Sequence, residues 1–310
     1  MKSISFVFVL ICATLLSVKA QKVDDAFPDF TSENQDTLHL NPKIDTVNEG
    51  KQFKILIEAN TSLCQGDTMT TINLLNQYTL DFPKSVMTKM VKVKTGELYI
   101  DLGNLVMAET LFNSVLDMPV GNQGVLFYFE KKEICKPIFE FSNYKEANSN
   151  ACIALNYIEM KRKNYKKALD FLVLAETKYF PSTGCGNGDD MNRAIIQEHF
   201  IKYYLSIGDT TNAIKRAMGN LMIGNYSNAL LLRQLLLRNH SEKQVVNEVE
   251  RGILNVYFIK SSDNKRIKTP FSLFEYSIDD LGRCSFDDVR EFRKSLITYR
   301  SFQLLKTGKY

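Results

Sequence analysis

The chain contains no tryptophan, only three histidines and only seven prolines among its 310 residues. So few histidines leave little material for a metal site or for a catalytic triad that depends on an imidazole. Apolar residues make up 45% of the chain, charged residues 24%, and there are 15 glycines. This composition excludes a disordered, collagen-like or disulfide-dense small protein, and it predicts one large or two ordinary globular domains.

After its first segment the chain has no apolar run approaching the roughly 18 residues that a membrane-spanning helix needs. The first segment has the features of an export signal: a basic start at Lys2, an apolar stretch over 4–16, and small residues at Val18 and Ala20. The alternatives are a retained signal anchor and lipid attachment at Cys12. The sequence therefore predicts export to the periplasm or the extracellular space, and its Lys-, Asn- and Ile-rich composition favours a bacterial envelope protein.

The chain also lacks a strong excess of either charge. Its formal net charge is +4, and loss of Lys2 and Lys19 with the signal lowers that value to +2. A nucleic-acid-binding protein needs a far larger basic excess to neutralise phosphates. We therefore expect no nucleic-acid partner, and no membrane span after signal cleavage.

Five cysteines remain after signal cleavage, with no C-x-x-C pair and no Cys/His cluster among them. This spacing excludes a zinc site and a redox motif, while an oxidising compartment permits one or two disulfides of unassigned pairing. Cys152 lies within an apolar helical pattern, which predicts a small buried hydrophobic residue.

Residues 98–118 show a helical stretch, a turn at Gly103-Asn104 and a second helical stretch that ends before Pro119. In the second stretch, Ala108, Phe112 and Val115 recur at steps of four and three residues, as on one face of a helix. Gly96 and Tyr99 lie on the preceding helix.

This pattern resembles the tetratricopeptide repeat, a pair of antiparallel helices about 34 residues long. In that family a small residue on the first helix meets a small residue on the second, and Gly96 and Ala108 occupy those places here. Three further stretches, at about 52–85, 149–182 and 194–227, resemble the same unit. Asn156 and Ile201 depart from it, because each stands where the family has a small residue on the first helix.

The second small residues are spaced 37, 60 and 45 residues apart along the chain, at Thr71, Ala108, Ala168 and Ala213. The two longer spacings imply insertions at about 120–148 and at 182–192. The first insertion fits either two short strands or a divergent helix pair. Ser241 to Gln244 resembles a capping box before another helix, and Ser285 to Asp288 resembles the start of a terminal helix.

The predicted fold class is all-α, a tetratricopeptide-like α-α solenoid of about four to five helix pairs with an inserted segment and a C-terminal helical cap. The predicted domains are a signal peptide over 1–20, a flexible lead-in over 21–48, a repeat domain over 49–260 with its insertion at about 120–148, and a C-terminal loop and capping helix over 261–310.

In tetratricopeptide proteins the first helices of the pairs line a concave groove that binds peptides or other proteins. The groove that the resemblance implies here is largely apolar, and it lacks the Lys/Asn pattern with which some members hold a terminal carboxylate. Either it is open and binds a protein, or the insertion and the C-terminal helices cover it and make it core. The implied groove residues are Phe53, Leu56, Asn60, Met90, Val93, Glu97, Ile153, Tyr157, Ile195 and Lys202.

Two parts of the sequence resemble sites of known chemistry, the Gly-rich stretch at 184–190 and the neighbours Glu198 and His199. The Gly-rich stretch at 184–190 lacks the Lys-Ser/Thr ending of a phosphate-binding loop, and its adjacent aspartates differ from a calcium loop, so we expect a flexible connection. His199 beside Glu198 suggests a general base, but no nucleophile or oxyanion site accompanies it. We therefore expect no catalytic residues, no bound metal and no cofactor.

The sequence thus predicts an exported, non-enzymatic scaffold that binds a protein or peptide partner in the cell envelope, with self-association as a further option. One alternative is a glycan-binding accessory protein of an uptake system, which an exposed cluster of the 14 tyrosines would favour. A hydrolase with an unrecognised site is the third hypothesis.

Overall fold

Helices account for most of the chain that the computed structural model describes, which is residues 49–85, 87–119, 124–125, 142–182, 186–222, 226–260, 267–281 and 288–309. The predicted signal peptide, the lead-in and most of the 120–148 insertion lie outside these residues. No helix within these ranges is both long enough and apolar enough to cross a membrane.

The described ranges contain twelve helices and six short strands. In chain order the helices are α1 Glu49–Cys64, α2 Thr68–Asp81, α3 Thr88–Asp101, α4 Leu105–Asp117, α5 Tyr144–Lys161, α6 Tyr165–Glu176, α7 Gly186–Ser206, α8 Thr210–Gly219, α9 Tyr226–Leu236, α10 Glu242–Asn255, α11 Val289–Thr298 and α12 Arg300–Thr307. The strands form three antiparallel pairs, β1 Gly124–Val125 with β2 Ser142–Asn143, β3 Ile259–Lys260 with β4 Ile267–Lys268, and β5 Phe271–Leu273 with β6 Tyr276–Ile278.

The turn between the two helices has the same geometry in each of the first four pairs. One residue in each turn has a positive φ, and the next N–H donates to the carbonyl five residues earlier, which is a Schellman closure of the first helix. The positive-φ residues are Gly66, Gly103, Lys163 and Gly208. The donors that follow them are Asp67, Asn104, Asn164 and Asp209, at N–O distances of 2.9, 2.8, 2.9 and 2.9 Å.

In three of the four pairs the residue after the positive-φ position caps the second helix through its side chain, whereas Asn164 donates to Glu159 instead. Asp67 accepts from the N–H of Thr70 at 3.0 Å, and Asp209 accepts from the N–H of Asn212 at 3.0 Å. These bonds satisfy backbone donors that the first turn of a helix leaves free. The Gly/Asp and Gly/Asn dipeptides of the sequence therefore end one helix and start the next.

The first and second helices of a pair cross where the small residues were expected. At Gly96 an added Cβ would lie 2.7 Å from the ring of Phe112, so only glycine fits there. At the equivalent place Asn156 is buried and donates to the carbonyl of Ala168 at 2.9 Å. The departure at Asn156 is therefore accommodated by a buried hydrogen bond to the partner helix, which replaces the close approach of two small residues.

Neighbouring helices pack against one another along the chain, which is compatible with a helical repeat fold. The N-terminal core runs from Leu56 to Ile158 through α1–α5. The C-terminal core runs from Ile201 to Leu305 and joins α7–α12 with β5 and β6. A smaller cluster around Phe200, which also includes Ala168 and Leu172, lies on α6 and α7.

The C-terminal region is more structured than the predicted loop and single capping helix. Strands occupy much of residues 267–278, where the polar sequence gave no clear pattern of alternation. The terminal helix is interrupted at Tyr299, whose ψ of 130° breaks the helix and whose hydroxyl donates to the carbonyl of Met222 at 2.9 Å. The last helix, α12, packs against both α9 and α10 and so forms part of their core.

Two predicted boundaries are also wrong. The helix α5 begins at Tyr144, directly after β2, and the predicted unit began at 149. The helix α7 begins at Gly186, within the stretch predicted as a flexible loop. Its first turns carry Asp189 and Asp190, and carboxylates there are favoured by the positive end of the helix dipole.

The predicted capping box at Ser241 and Gln244, at the start of α10, is confirmed.

Two cysteines are defined by the structure. Cys64, at the end of α1, is disulfide-bonded. Cys152 is a free thiol that is fully buried on α5 near Ala175 and Tyr179, and burial raises the pKa of this thiol to about 12. The prediction that Cys152 is a small buried hydrophobic residue is confirmed.

Candidate functional site

Three of the ten predicted groove residues belong to the core. Leu56 and Val93 are completely buried and Met90 is 5% exposed. Met90 and Val93 lie on α3, which is in contact with α2, α4 and α5, and Leu56 lies on α1, which packs against α2. These three residues cannot touch a partner, so their assignment to a binding groove is wrong. The side chain of Phe53 lies outside the described part of the structure.

Four of the remaining residues occupy the same place in successive units. Each directly follows the residue that faces the second helix of its pair. Tyr157 is 43% exposed, and the side chains of Glu97 and Lys202 are 41% and 64% exposed. We call these residues the first-helix row: Asn60, Glu97, Tyr157 and Lys202.

Charges in the first-helix row are balanced within their own helices. Glu97 pairs with Lys94 at 2.8 Å, and Lys202 pairs with Glu198 at 2.8 Å. The ammonium of Lys161 lies 5.2 Å from the centre of the Tyr157 ring, which is within range of a cation–π interaction. The row therefore presents paired charges around an exposed aromatic ring.

Apolar side chains extend this surface where α5 and α7 touch. On α7, Ile195 is 44% exposed and Met191, one turn earlier, is 65% exposed. On α5, Ile153 is half-buried one turn before Tyr157. We define the α5–α7 surface as Ile153, Tyr157, Lys161, Met191, Ile195, Glu198 and Lys202. Met191 was missed by sequence reasoning, although a step of four residues back from Ile195 identifies it.

A charged cluster holds α5 against its neighbours. The carboxylate of Glu159 is fully buried, and it accepts from Lys167 at 2.5 Å and from Asn164 at 2.8 Å. Arg162, also on α5, donates to Glu109 of α4 at 2.6 Å. Burial alone would raise the pKa of Glu159, but these hydrogen bonds and the nearby cations bring it below its ordinary value.

A second cluster holds α7 in a similar way. The guanidinium of Arg216 on α8 donates to Glu176 of α6 at 2.6 Å and to Gln197 of α7 at 3.0 Å. The same guanidinium stacks 3.9 Å from the centre of the Phe200 ring. Both helices of the α5–α7 surface are thus held to neighbouring helices by bonds that involve charged side chains.

The structure describes two of the three histidines, His199 and His240. His199 is half-buried, and its pKa is lowered mainly by burial and further by Lys202. Glu198, the suggested partner of His199, binds Lys202. His240 stacks on the ring of Phe274 at 3.7 Å between centres. Within the described ranges no three His, Cys, Asp or Glu side chains are grouped as metal ligands.

No family model, curated protein or solved structure matches the chain.

Proposed function

We propose that the chain is an exported, non-enzymatic protein–protein interaction scaffold of tetratricopeptide-like type, and that the α5–α7 surface binds its protein partner. The observation that carries this proposal is the exposure of Tyr157, Ile195 and Met191 on the outer sides of two adjacent first helices.

The composition of this surface is that of a binding site. Tyrosine and methionine are enriched in protein–protein interfaces, and a few such side chains provide most of the binding energy when charged residues surround them. Here Lys161 lies over the ring of Tyr157, and the paired Glu198 and Lys202 follow Ile195 on α7. This arrangement fits a partner that offers an apolar ridge with charged flanks.

The clusters around Glu159 and Arg216 support the same proposal. Binding is weakened by the ordering of mobile side chains and helices at an interface. Because α5 and α7 are each fixed by charged bonds to the neighbouring helices, their outer sides form a surface that is ordered before a partner arrives.

Export is supported by a second observation besides the signal-like residues 1–20. Cys64 is disulfide-bonded, and disulfides persist in oxidising compartments such as the periplasm and the extracellular space. We therefore place the scaffold and its partner outside the cytoplasm.

The proposal is tested by crosslinking residues 21–310, tagged, in intact cells of the source organism and identifying the captured proteins by mass spectrometry. The test variants are Ile195→Asp and Tyr157→Ala. Their matched controls are Val173→Asp and Tyr165→Ala on α6, since Val173 is 42% exposed and Tyr165 is 40% exposed. Circular dichroism verifies that all four variants retain their helices.

We expect a reproducible partner that is lost from both test variants and kept by both controls. Equal capture by test and control variants, or no protein enriched above a tag-only sample, contradicts the proposal. Variants at Leu56 or Val93 are unsuitable for this purpose, because a charge in the core unfolds the protein regardless of binding.

A further inference from the structure

A cleft of about 540 Å³ lies in the C-terminal region, between the end of α10 and the short strands that follow it. This volume is within the range of known small-molecule sites. The polar side chains that line it include Arg251, Asn255, Tyr257, Lys268, Ser272 and Ser277.

Close backbone packing builds one wall of the cleft. A Cβ at Gly252 of α10 would lie 2.8 Å from the carbonyl oxygen of Ser272, so glycine allows β5 to lie directly on the helix. The guanidinium of Arg293 donates to the carbonyl of Val256 at 2.9 Å and fixes the chain where it leaves α10. The cleft therefore lies between ordered elements.

The polar side chains of the cleft are available to a ligand. Asn255, Lys268, Ser272 and Ser277 make no side-chain hydrogen bond to any residue that the structure describes. Together they offer both donors and acceptors. A hydroxyl group both donates and accepts, so a ligand rich in hydroxyls matches this set.

The charges in and beside the cleft cancel. The lining contains two cations, Arg251 and Lys268, and one carboxylate, Asp279. The second carboxylate is Glu248, which accepts from Arg251 at 2.9 Å. A balanced set of charges favours a ligand without a net charge over a phosphate or a carboxylate.

An exposed ring provides a flat apolar contact at the same place. Tyr257 is 53% exposed, and the lining beside it includes Ile259 and Pro270. Flat rings pack against the C–H face of a sugar, while the hydroxyls at the sugar's edge reach polar groups such as Asn255.

From these features we propose that the cleft between α10 and strands β3–β6 binds a neutral saccharide. Saccharide binding at this cleft is independent of the α5–α7 surface, since the two sites share no residue. The scaffold then has a second binding site, for a hydroxyl-rich small ligand.

Saturation-transfer-difference NMR tests the proposal with full-length mature protein and three neutral probes: maltotriose, cellotriose and triacetylchitotriose. Trigalacturonate is the charged comparison. The test variants are Tyr257→Ala and Asn255→Ala, and the control is Tyr226→Ala on α9, which removes another exposed tyrosine at 41% exposure. Unchanged thermal unfolding of each variant shows that the fold is intact.

We expect at least one neutral trisaccharide to bind, with a Kd that Tyr257→Ala increases by about tenfold and Tyr226→Ala leaves unchanged. Failure of all three neutral probes, binding of trigalacturonate alone, or equal losses in the test and control variants would overturn the proposal. Because Tyr157→Ala and Ile195→Asp leave the cleft intact, saccharide binding by these variants separates a failure of this site from a failure of the protein-binding surface.

Discussion

Lys163 occupies the positive-φ position of a turn in which the equivalent turns have glycine. Three of the four equivalent turns place glycine at the positive-φ position, and the third unit places Lys163 there with a φ of 63°. A side chain with a Cβ is disfavoured in this region by roughly 1–2 kcal/mol. The exposed side chain of Lys163 makes no described contact that offsets this cost.

We predict that Lys163→Gly stabilises the protein by about 0.5–1 kcal/mol, because it removes the strain of the left-handed backbone. The reciprocal variant Gly103→Ala should destabilise by about 1–2 kcal/mol. Space around Gly103 is open, so its cost comes from the backbone alone. Urea unfolding followed by circular dichroism measures both values. A destabilised Lys163→Gly would show that the lysine side chain contributes more than the turn costs.

At the scale of elements, Glu159 joins α5 to α6 and, through Arg162, contributes to the contact with α4. The pKa of its buried carboxylate is lowered from the ordinary 4.5, with the hydrogen bonds from Lys167 and Asn164 outweighing burial. A carboxyl with a lowered pKa stabilises the folded state fully above its unfolded pKa. This stabilisation is lost as the pH falls through the lower, folded pKa.

We predict that Glu159→Gln lowers the free energy of unfolding by about 1–3 kcal/mol at pH 7, because buried donors lose a charged acceptor. The difference from the unaltered protein should begin to shrink below pH 4.5, where the carboxyl of the unfolded chain takes up a proton, and should disappear as the pH falls through the lower, folded pKa. Thermal unfolding between pH 7 and pH 3 measures this dependence. Glu58→Gln is the control, since the exposed pair Lys54–Glu58 spans 4.0 Å and such pairs contribute about 0–1 kcal/mol. A Glu159 difference that stays constant with pH contradicts the role of its charge.

The helix pairs are predictable from sequence because their signals are local. Gly66-Asp67, Gly103-Asn104 and Gly208-Asp209 specify a left-handed residue followed by a helix cap, and both requirements act within a few residues. The short strands β5 and β6 were missed because three residues are too few to show alternation. They are ordered by packing on α10 and α8, which a local pattern does not contain.

The binding surface was only partly predictable for a related reason. Position within a unit correctly selects Tyr157 and Lys202 as exposed. One turn earlier, Leu56 and Val93 lie in the core, whereas Ile153 and Glu198 at the equivalent places are only partly buried. Exposure therefore depends on the assembled array, and a single unit does not determine it.

At the scale of the whole molecule, the described part has two large apolar cores that are built from different parts of the chain. Phe112 is fully buried in the N-terminal core, against Gly96. Phe302 is fully buried in the C-terminal core, where its ring meets Phe271 edge-on at 5.6 Å. Repeat arrays unfold in regions when each unit contacts mainly its neighbours.

We predict that Phe302→Ala, which costs about 3–5 kcal/mol, reduces hydrogen-exchange protection chiefly in α8–α12 and leaves α1–α4 protected. Phe112→Ala should show the opposite distribution. Hydrogen exchange read by mass spectrometry separates the two regions. Uniform loss of protection in both variants would show instead that the molecule unfolds as one cooperative unit.

The burial of Cys152 has a consequence for how the chain matures. Export to an oxidising compartment, as proposed above, exposes every free thiol to exchange with existing disulfides, and the attacking species is the thiolate. Raising the thiol pKa from 9.0 to about 12 lowers the thiolate fraction about a thousandfold at any pH below both values. Packing of α5 and α6 therefore makes Cys152 a far weaker competitor for Cys64. Before that packing the same thiol is a competitor, so formation of the third helix pair is the step that withdraws Cys152 from exchange.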